Sequence, residues 1–136
     1  QAFMEAGEFR EGHCLAYVGT AAAYMHGDEW LEQMLAYVQG NIDFTEQYLQ
    51  QHIPGVGMIR PQASYLVFLD CRGLNLSQEE LERLFAEKAH LALNSGTQFG
   101  EPGRGFMRLN VGCPRAVLQQ ALHQLATAVE QLSAER

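Results

Sequence analysis

The longest apolar pattern in the chain is a helical stripe that begins just after Asp28. Its members are spaced alternately by four and three residues: Leu31, Leu35, Val38, Ile42, Thr45 and Leu49. Asp28 is the expected N-cap, and Pro54 ends the helix because the residue before a proline disfavours the helical conformation. Aromatic neighbours such as Trp30 and Tyr37 widen this surface. Two interpretations stay open: a neighbouring lobe or subunit covers the stripe, or the domain's own sheet covers it.

Three further helices are predicted. The alanine run within Gly19 to Met25 favours a short helix that Gly27 ends. Ser77-x-x-Glu80 is a capping box, and the residues after it form one apolar face: Leu81, Leu84, Phe85 and Ala89. A closing amphipathic helix is predicted from Ala116 onward, with Leu118, Leu122, Leu125, Val129 and Leu132 on its apolar face. Residues 1–13 are expected to be a turn-rich lead-in.

Four strands are predicted between these helices. A short strand covers Gly57 to Arg60, and the apolar run from Ala63 to Asp70 lacks alternation, which is typical of a central strand covered on both faces. Leu91 to Leu93 is predicted as a brief strand. The glycine-rich stretch from Gly96 to Gly105 is expected to be a long, mobile loop, and the last strand follows it up to Val111.

The connections between these elements are too short for several parallel crossovers. The sequence therefore predicts an α+β fold, with a small, mostly antiparallel sheet, helices packed on one face and a long linking helix before it. Residues 1–27 would form the lead-in segment and short helix, and residues 28–136 the small domain, within one domain overall. The second face of such a sheet can stay uncovered.

Composition excludes several classes of partner. A net charge of -7 with only nine Lys and Arg residues disfavours nucleic acid and anionic membranes, and no apolar run is long enough for a membrane span. The three cysteines, Cys14, Cys71 and Cys113, are odd in number and far apart, so neither a disulfide framework nor a zinc site is supported. Reduced thiols in a cytoplasm are the preferred interpretation. The five histidines show no spacing typical of metal ligands.

One arginine stands in the otherwise apolar last strand. Alternation directs Met107, Leu109 and Val111 to one face, and it directs Arg108 to the other with Phe106 and Asn110. Arg108 then either faces solvent on the open side of the sheet or binds an anion there. The pattern alone favours the solvent-facing interpretation. The planar guanidinium nevertheless matches a carboxylate bidentately and cannot lose its proton.

No other candidate chemistry emerges from the residues. The loop from Gly96 to Gly105 matches no phosphate-binding glycine motif, and no nucleophile lies near a base. The only lysine, Lys88, lies late in its helix, where a long aliphatic stem usually reaches along the apolar edge to solvent. The sequence therefore predicts no catalytic residue and no metal site.

Several motifs together carry a family resemblance over almost the whole chain. They are Ala22-Ala23-Tyr24 with Gly27 and Trp30-Leu31, Pro61-x-Ala63-Ser64-Tyr65-Leu66 through Asp70, Leu93-Asn94-x-Gly96-x-x-Phe99-Gly100, and Gly105-Phe106-Met107-Arg108-Leu109-Asn110 with Cys113-Pro114-Arg115. In these motifs the chain resembles the C-terminal small domain of fold-type I enzymes that use pyridoxal 5'-phosphate (PLP). The nearest branch is that of the class I/II aminotransferase-like carbon-sulfur beta-lyases of the cystathionine beta-lyase type.

The resemblance implies that Arg108 binds the substrate α-carboxylate and that Asn94, Gly96 and Phe99 lie near the active-site entrance. The helix beginning at Asp28 would link this domain to a large PLP-binding domain. The whole enzyme would be a cytoplasmic homodimer that eliminates thiol from cystathionine or another L-cysteine S-conjugate and releases pyruvate and ammonia. An aminotransferase activity stays open as well.

The departure from the family is that its cofactor-anchoring residues have no match here. The Schiff-base lysine, the aspartate at the pyridine nitrogen, the ring-stacking tyrosine and the phosphate-binding residues would all lie upstream of Gln1, and Lys88 matches no part of the lysine motif. This chain is thus expected to bind no PLP and to be inactive alone. The alternative is a stand-alone interaction or ligand-sensing module without enzymatic activity.

Overall fold

The computed structural model describes residues 13–134, so most of the predicted lead-in, residues 1–12, lies outside the described residues. The chain separates into two compact units, and the division falls between Tyr37 and Val38. This point lies inside one continuous helix, α2, which spans Asp28–His52. The predicted domain division at residue 27 stays a prediction.

The first unit contains helix α1, Cys14–His26, and the beginning of α2. Helix α1 is longer than the predicted stretch because His13 caps it, its Nδ1 accepting a hydrogen bond from the Leu15 amide. Gly27 ends α1, since a Cβ there would lie 2.4 Å from the Ala23 carbonyl oxygen. No residue of α1 is buried. Large apolar side chains are exposed throughout this unit: Leu15, Tyr17, Val18, Tyr24, Met25, Trp30, Leu31, Leu35 and Tyr37.

The apolar stripe of α2 changes its environment along the helix. Its later members, Val38, Ile42, Thr45 and Leu49, are buried in the second unit. Its earlier members stay accessible, with Leu31 44% and Leu35 55% exposed. The stripe thus joins the core of this chain only from Val38 onward. Neither α2 nor any other helix within residues 13–134 is long and apolar enough to cross a membrane.

The second unit is built on a four-stranded antiparallel sheet in the order β1-β2-β4-β3. The strands are β1 Gly57–Ile59, β2 Leu66–Asp70, β3 Asn94–Ser95 and β4 Phe106–Asn110. The predicted strand from Leu91 to Leu93 is wrong, because the polar pair Asn94 and Ser95 makes the ladder with β4 instead. Backbone pairing does not depend on side-chain polarity, and the apolar run before β3 follows the helix as a connection, with the Leu91 amide bonded to the Phe85 carbonyl.

Burial alternates along the two central strands. Val67 and Leu69 of β2 and Met107 and Leu109 of β4 are buried, while their neighbours on the other face are half-buried or exposed. The expectation that β2 is covered on both faces is therefore wrong. Its run is apolar without alternation because apolar residues such as Phe68 also occupy the half-buried face.

Two helices after the first pair supply most of the remaining core. Helix α3, Gln78–Arg83, begins at the predicted capping box and continues as a π-helical turn, Leu84–Lys88. Helix α4 spans Arg115–Ala134. Their fully buried side chains include Leu81, Phe85, Leu118, Leu122 and Leu125. The predicted α+β fold, with helices on one face of an antiparallel sheet, is confirmed.

One buried polar side chain ties α2 to the chain after β4. Asn41, fully buried, donates hydrogen bonds from Nδ2 to the carbonyl oxygens of Val111 and Cys113 at 2.8 and 2.9 Å. Its Oδ1 accepts one from Arg115 Nε at 2.7 Å. The guanidinium of Arg115 also lies 4.6 Å from the Phe44 ring. Asn41 therefore fixes where the chain goes after β4 and how α4 begins.

Cys71 is the buried cysteine of this core, whereas Cys14 is exposed and Cys113 is partly accessible, and all three are free thiols. Burial is the main reason that the pKa of the Cys71 thiol rises to about 12, and the charge of Asp70 adds to it. Burial also raises the pKa of Cys113. Since the thiolate is the reactive form, Cys71 should be inert in the folded chain.

Asn41→Ala should lower the free energy of unfolding by about 2 to 3 kcal/mol, because two carbonyl groups and the Nε of Arg115 each lose a hydrogen bond inside the protein. Urea unfolding followed by circular dichroism measures this change. Gln39→Ala is the matched control, since Gln39 is an exposed residue on the same helix whose side chain bonds to Asp43. Equal stabilities of the two variants would contradict the role given to Asn41.

Alkylation with iodoacetamide at pH 8 should modify Cys14 first and Cys113 more slowly, and should leave Cys71 unmodified until the chain unfolds. Mass spectrometry of peptides from native and urea-treated protein measures the modified fraction at each cysteine. Modification of Cys71 in native protein at a rate near that of Cys14 would show that the thiol is not buried.

Candidate functional site

The register of the sheet aligns four side chains in one row across the face opposite the helices. Ile59 of β1 pairs with Phe68 of β2, Phe68 pairs with Arg108 of β4, and Arg108 pairs with Asn94 of β3. Arg108 is only partly accessible, although the predicted face is the open one. The predicted direction of its side chain is confirmed, because Met107 and Leu109 on either side of it are buried.

The Arg108 guanidinium is held from two sides. Its Nη2 donates to Asn94 Oδ1 at 2.9 Å, and its Cζ lies 4.6 Å from the centre of the Phe99 ring. Phe99 in turn meets Phe68 edge to face, with ring centres 5.5 Å apart. We call these four residues, Arg108, Asn94, Phe99 and Phe68, the Arg108 cluster. The structure thus brings Asn94 and Phe99, two of the residues predicted near an entrance, into contact with Arg108.

Arg108 keeps hydrogen-bonding capacity that the described residues do not use. Its Nε is buried and has no hydrogen-bond partner within residues 13–134. No Asp or Glu in that range forms an ion pair with it, whereas Arg60, Arg72, Arg83 and Arg104 each pair with a carboxylate. A permanently charged group with a buried, unsatisfied donor is suited to accept an anion.

Asp70, an acidic residue on the same face, already has a partner. Asp70 pairs in the sheet with Phe106 and receives two hydrogen bonds from the Arg72 side chain, Nε to Oδ1 at 2.8 Å and Nη2 to Oδ2 at 2.6 Å. These bonds hold the pKa of Asp70 below its usual value. Arg72 also lies 4.9 Å from the Phe106 ring. Asp70 is therefore neutralised by Arg72, and Arg108 stays available for an anion from outside.

The loop from Gly96 to Gly105 is built from two short 3-10 turns, Gly96–Phe99 and Glu101–Gly103. The two turns close on each other through glycine. A Cβ on Gly96 would lie 2.1 Å from the Gly103 carbonyl oxygen, and one on Gly103 would lie 2.0 Å from that of Gly96. The loop predicted to be long and mobile is built as a compact double turn that carries Phe99. Gly96 is buried and shapes this turn, and its place near an entrance stays a prediction.

Sequence reasoning missed Gln78, whose side chain contacts both ends of this double turn. It bonds to Ser95 Oγ and to the Gly105 amide, each at 2.8 Å. Asn41 was missed as well, although an asparagine inside an apolar helical stripe is a readable signal of a buried polar contact.

Lys88 is exposed at the end of the π-helical turn. Within residues 13–134, no three His, Cys, Asp or Glu side chains are grouped to hold a metal ion.

Comparison with known proteins identifies similar sequences. Cystathionine beta-lyase PatB of Bacillus subtilis (strain 168) is 38% identical over 117 residues, which make up 86% of this chain and 30% of that protein. Protein MalY of Escherichia coli (strain K12) is 35% identical over 115 residues, 85% of this chain and 30% of that protein. The chain therefore spans about a third of the length of the curated relatives it matches. No family model matches the chain.

Solved structures agree with these relatives. The crystal structure of a PLP-bound protein from Clostridium difficile 630 is 36% identical, with a TM-score of 0.87, over 94% of this chain and 33% of the other. The sheet and helices described above are thus the fold of a part of larger PLP-binding proteins.

Proposed function

Since the chain belongs to the PLP-dependent cystathionine beta-lyase and aminotransferase-like enzymes, of which it is a C-terminal portion, we propose that it forms their substrate-binding lobe. In this proposal Arg108 binds the α-carboxylate of an L-amino acid. The remainder of the active site, including the cofactor, is contributed by another part of the protein. The chain by itself forms only part of the substrate pocket and has no activity.

The observation that carries this proposal is the unsatisfied, buried Nε of Arg108. Asn94 occupies Nη2 from one side and Phe99 covers the face of the guanidinium, so the group is held in one orientation. A carboxylate that reaches it would gain charge-assisted hydrogen bonds, which contribute about 1.5 to 3 kcal/mol each. Water or a neutral ligand would not compensate the charge in this way.

The residues of the Arg108 cluster suit a carboxylate better than the cofactor. A PLP phosphate is usually held by several backbone donors at a helix N-terminus, and none of the cluster residues lies at such a position. Lys88, the only lysine in the sequence, is outside the cluster. When bound, PLP supplies the electron sink for the negative charge that develops at the substrate α-carbon. The proposed role of this chain is to bind the substrate carboxylate and to orient the α-carbon.

The proposed substrate is cystathionine or another L-cysteine S-conjugate, and the proposed reaction is elimination of the thiol with release of pyruvate and ammonia. The name of the PatB relative supports the lyase over an aminotransferase. Both reactions begin with an L-amino acid whose carboxylate must be held, so the role of Arg108 is the same in either case.

The proposed partners are the large PLP-binding domain and a second copy of the whole protein. The first unit supports this proposal, because its apolar side chains from Leu15 to Tyr37 are exposed and α1 buries no residue. Several large apolar side chains exposed on one short segment are typical of an interface in a larger assembly.

In the full-length protein, Arg108→Lys should lower kcat/KM for cystathionine roughly ten- to hundredfold, because lysine cannot form the bidentate pair. Steady-state kinetics measures the change, and thermal unfolding should be nearly unaltered. Arg83→Lys is the matched control, since Arg83 pairs with the exposed Glu79 on the surface of α3. Unaltered kinetics for Arg108→Lys would remove the carboxylate role.

The 136-residue chain alone should self-associate because of the exposed apolar side chains of the first unit. Sedimentation velocity over a range of concentrations should show a rising average mass. A variant with Tyr24→Lys and Trp30→Lys should shift this distribution toward monomer, whereas Gln119→Lys on α4 should not. A clean monomer at high concentration would count against the proposed interface.

A further inference from the structure

The side-chain amide of Gln78 bridges the two ends of the double turn that carries Phe99. Its Nε2 donates to Ser95 Oγ at the beginning of the turn, and its Oε1 accepts from the Gly105 amide at the end, each at 2.8 Å. Ser95 is only 8% exposed, and its hydroxyl also bonds to Thr97 Oγ1 at 2.8 Å. One amide group thus donates to a hydroxyl at one end of the turn and accepts from a backbone amide at the other.

The position of Gln78 is itself fixed by the beginning of α3. Ser77 is the N-cap, its backbone amide donating to Glu80 Oε2 at 2.8 Å and its hydroxyl accepting from the Glu80 amide. Gln78 is the first residue after the N-cap and lies inside this capping box. Its backbone therefore cannot move far without breaking the start of the helix.

The double turn transmits this position to the Arg108 cluster. The backbones of Gly96 and Gly103 are in direct contact, so the turn behaves as one closed unit between its two ends. Phe99 ends the first 3-10 turn, and its ring lies on the guanidinium and against Phe68. Gly105, with a φ of +82°, then directs the chain into β4 and hence to Arg108.

We propose that Gln78 is a positioning residue for the candidate carboxylate site: it holds both ends of the double turn and thereby keeps Phe99 on the Arg108 guanidinium. The proposal rests on the carboxylate role of Arg108 proposed above. Among the described residues, Gln78 makes no hydrogen bond to a member of the Arg108 cluster, and its effect passes through Ser95, Gly105 and the turn between them.

The first test is hydrogen exchange of the 136-residue chain, measured by mass spectrometry on peptides that cover residues 96–106. Gln78→Met keeps the side-chain length and removes the hydrogen bonds to Ser95 and Gly105, so exchange of these amides should accelerate about tenfold. Gln119→Met, on the exposed face of α4, is the matched control and should change nothing. Ser95→Ala removes one of the two bonds and should give a smaller acceleration. Unchanged exchange in both Gln78→Met and Ser95→Ala overturns the proposal.

The second test asks whether the turn matters for the carboxylate. In the PLP-loaded full-length protein, the apparent Kd for L-alanine, read from the cofactor absorbance, should rise about fivefold in Gln78→Met. The apparent Kd for ethylamine, which lacks the carboxylate, should stay the same. A merely structural defect would weaken both ligands, and that outcome overturns the proposal.

Arg108→Lys in the same assay separates the two proposals. If Arg108→Lys weakens L-alanine but Gln78→Met does not, the role of Gln78 is wrong and the carboxylate site stands. If Arg108→Lys leaves L-alanine binding unaltered, the carboxylate site itself is wrong, and the role of Gln78 toward it falls with it.

Discussion

The direction of Arg108 depends on the register of β4 between β2 and β3. Side chains alternate along a strand, so a slip of one residue would turn Arg108 into the core and expose Met107 and Leu109. Burying an unpaired guanidinium costs several kcal/mol, and exposing each of the two apolar residues costs about 1.5 to 3 kcal/mol more. The core therefore decides where the charge points. Asn41 reinforces this at the end of the strand by holding the carbonyls of Val111 and Cys113.

Arg72 and Arg108 both contact residues on the open face of the sheet, but their guanidinium groups have different partners. Arg72 forms a bidentate pair with Asp70 and needs nothing else. Arg108 receives an amide oxygen and an aromatic ring, which orient the guanidinium without neutralising it. A buried donor without a partner costs about 1 to 3 kcal/mol, and this cost persists until an acceptor arrives. If the proposed carboxylate binds here, little is lost in ordering the site.

The sequence predicts those parts of this arrangement that follow from periodicity. Alternation around Met107 and Leu109 is enough to place Arg108 on the open face, and the capping box at Ser77 locates α3. Contacts between residues distant in sequence leave no such signal. Asn94 and Ser95 are polar and short, so β3 could not be recognised and the apolar run before it was assigned as a strand instead. Gln78 looks like any glutamine in a first helical turn, and its role depends on which side chains the fold brings beside it.

The glycines of the double turn also make a contact that the sequence does not predict. A cluster of glycines indicates a loop, but sequence does not say which two backbones will touch. Here Gly96 and Gly103 do, and no residue with a Cβ could replace either without moving the other. Because these two backbones touch, the glycine-rich segment forms a closed turn. Phe99, which lies within this turn, is therefore held in a defined place.

A carboxylate bound by Arg108 would keep its charge throughout the proposed reaction, in substrate and transition state alike. An interaction of equal strength in both states lowers KM without changing kcat. Any contribution of the Arg108 cluster to rate must therefore come from orientation, since the α-carbon is attached directly to the carboxylate and its position follows from the carboxylate's angle. A guanidinium free to swing on its long side chain would bind the charge and leave that angle undefined. Asn94 and Phe99 remove this freedom. These two neighbours of Arg108 therefore determine whether a bound carboxylate also places the α-carbon in a defined position.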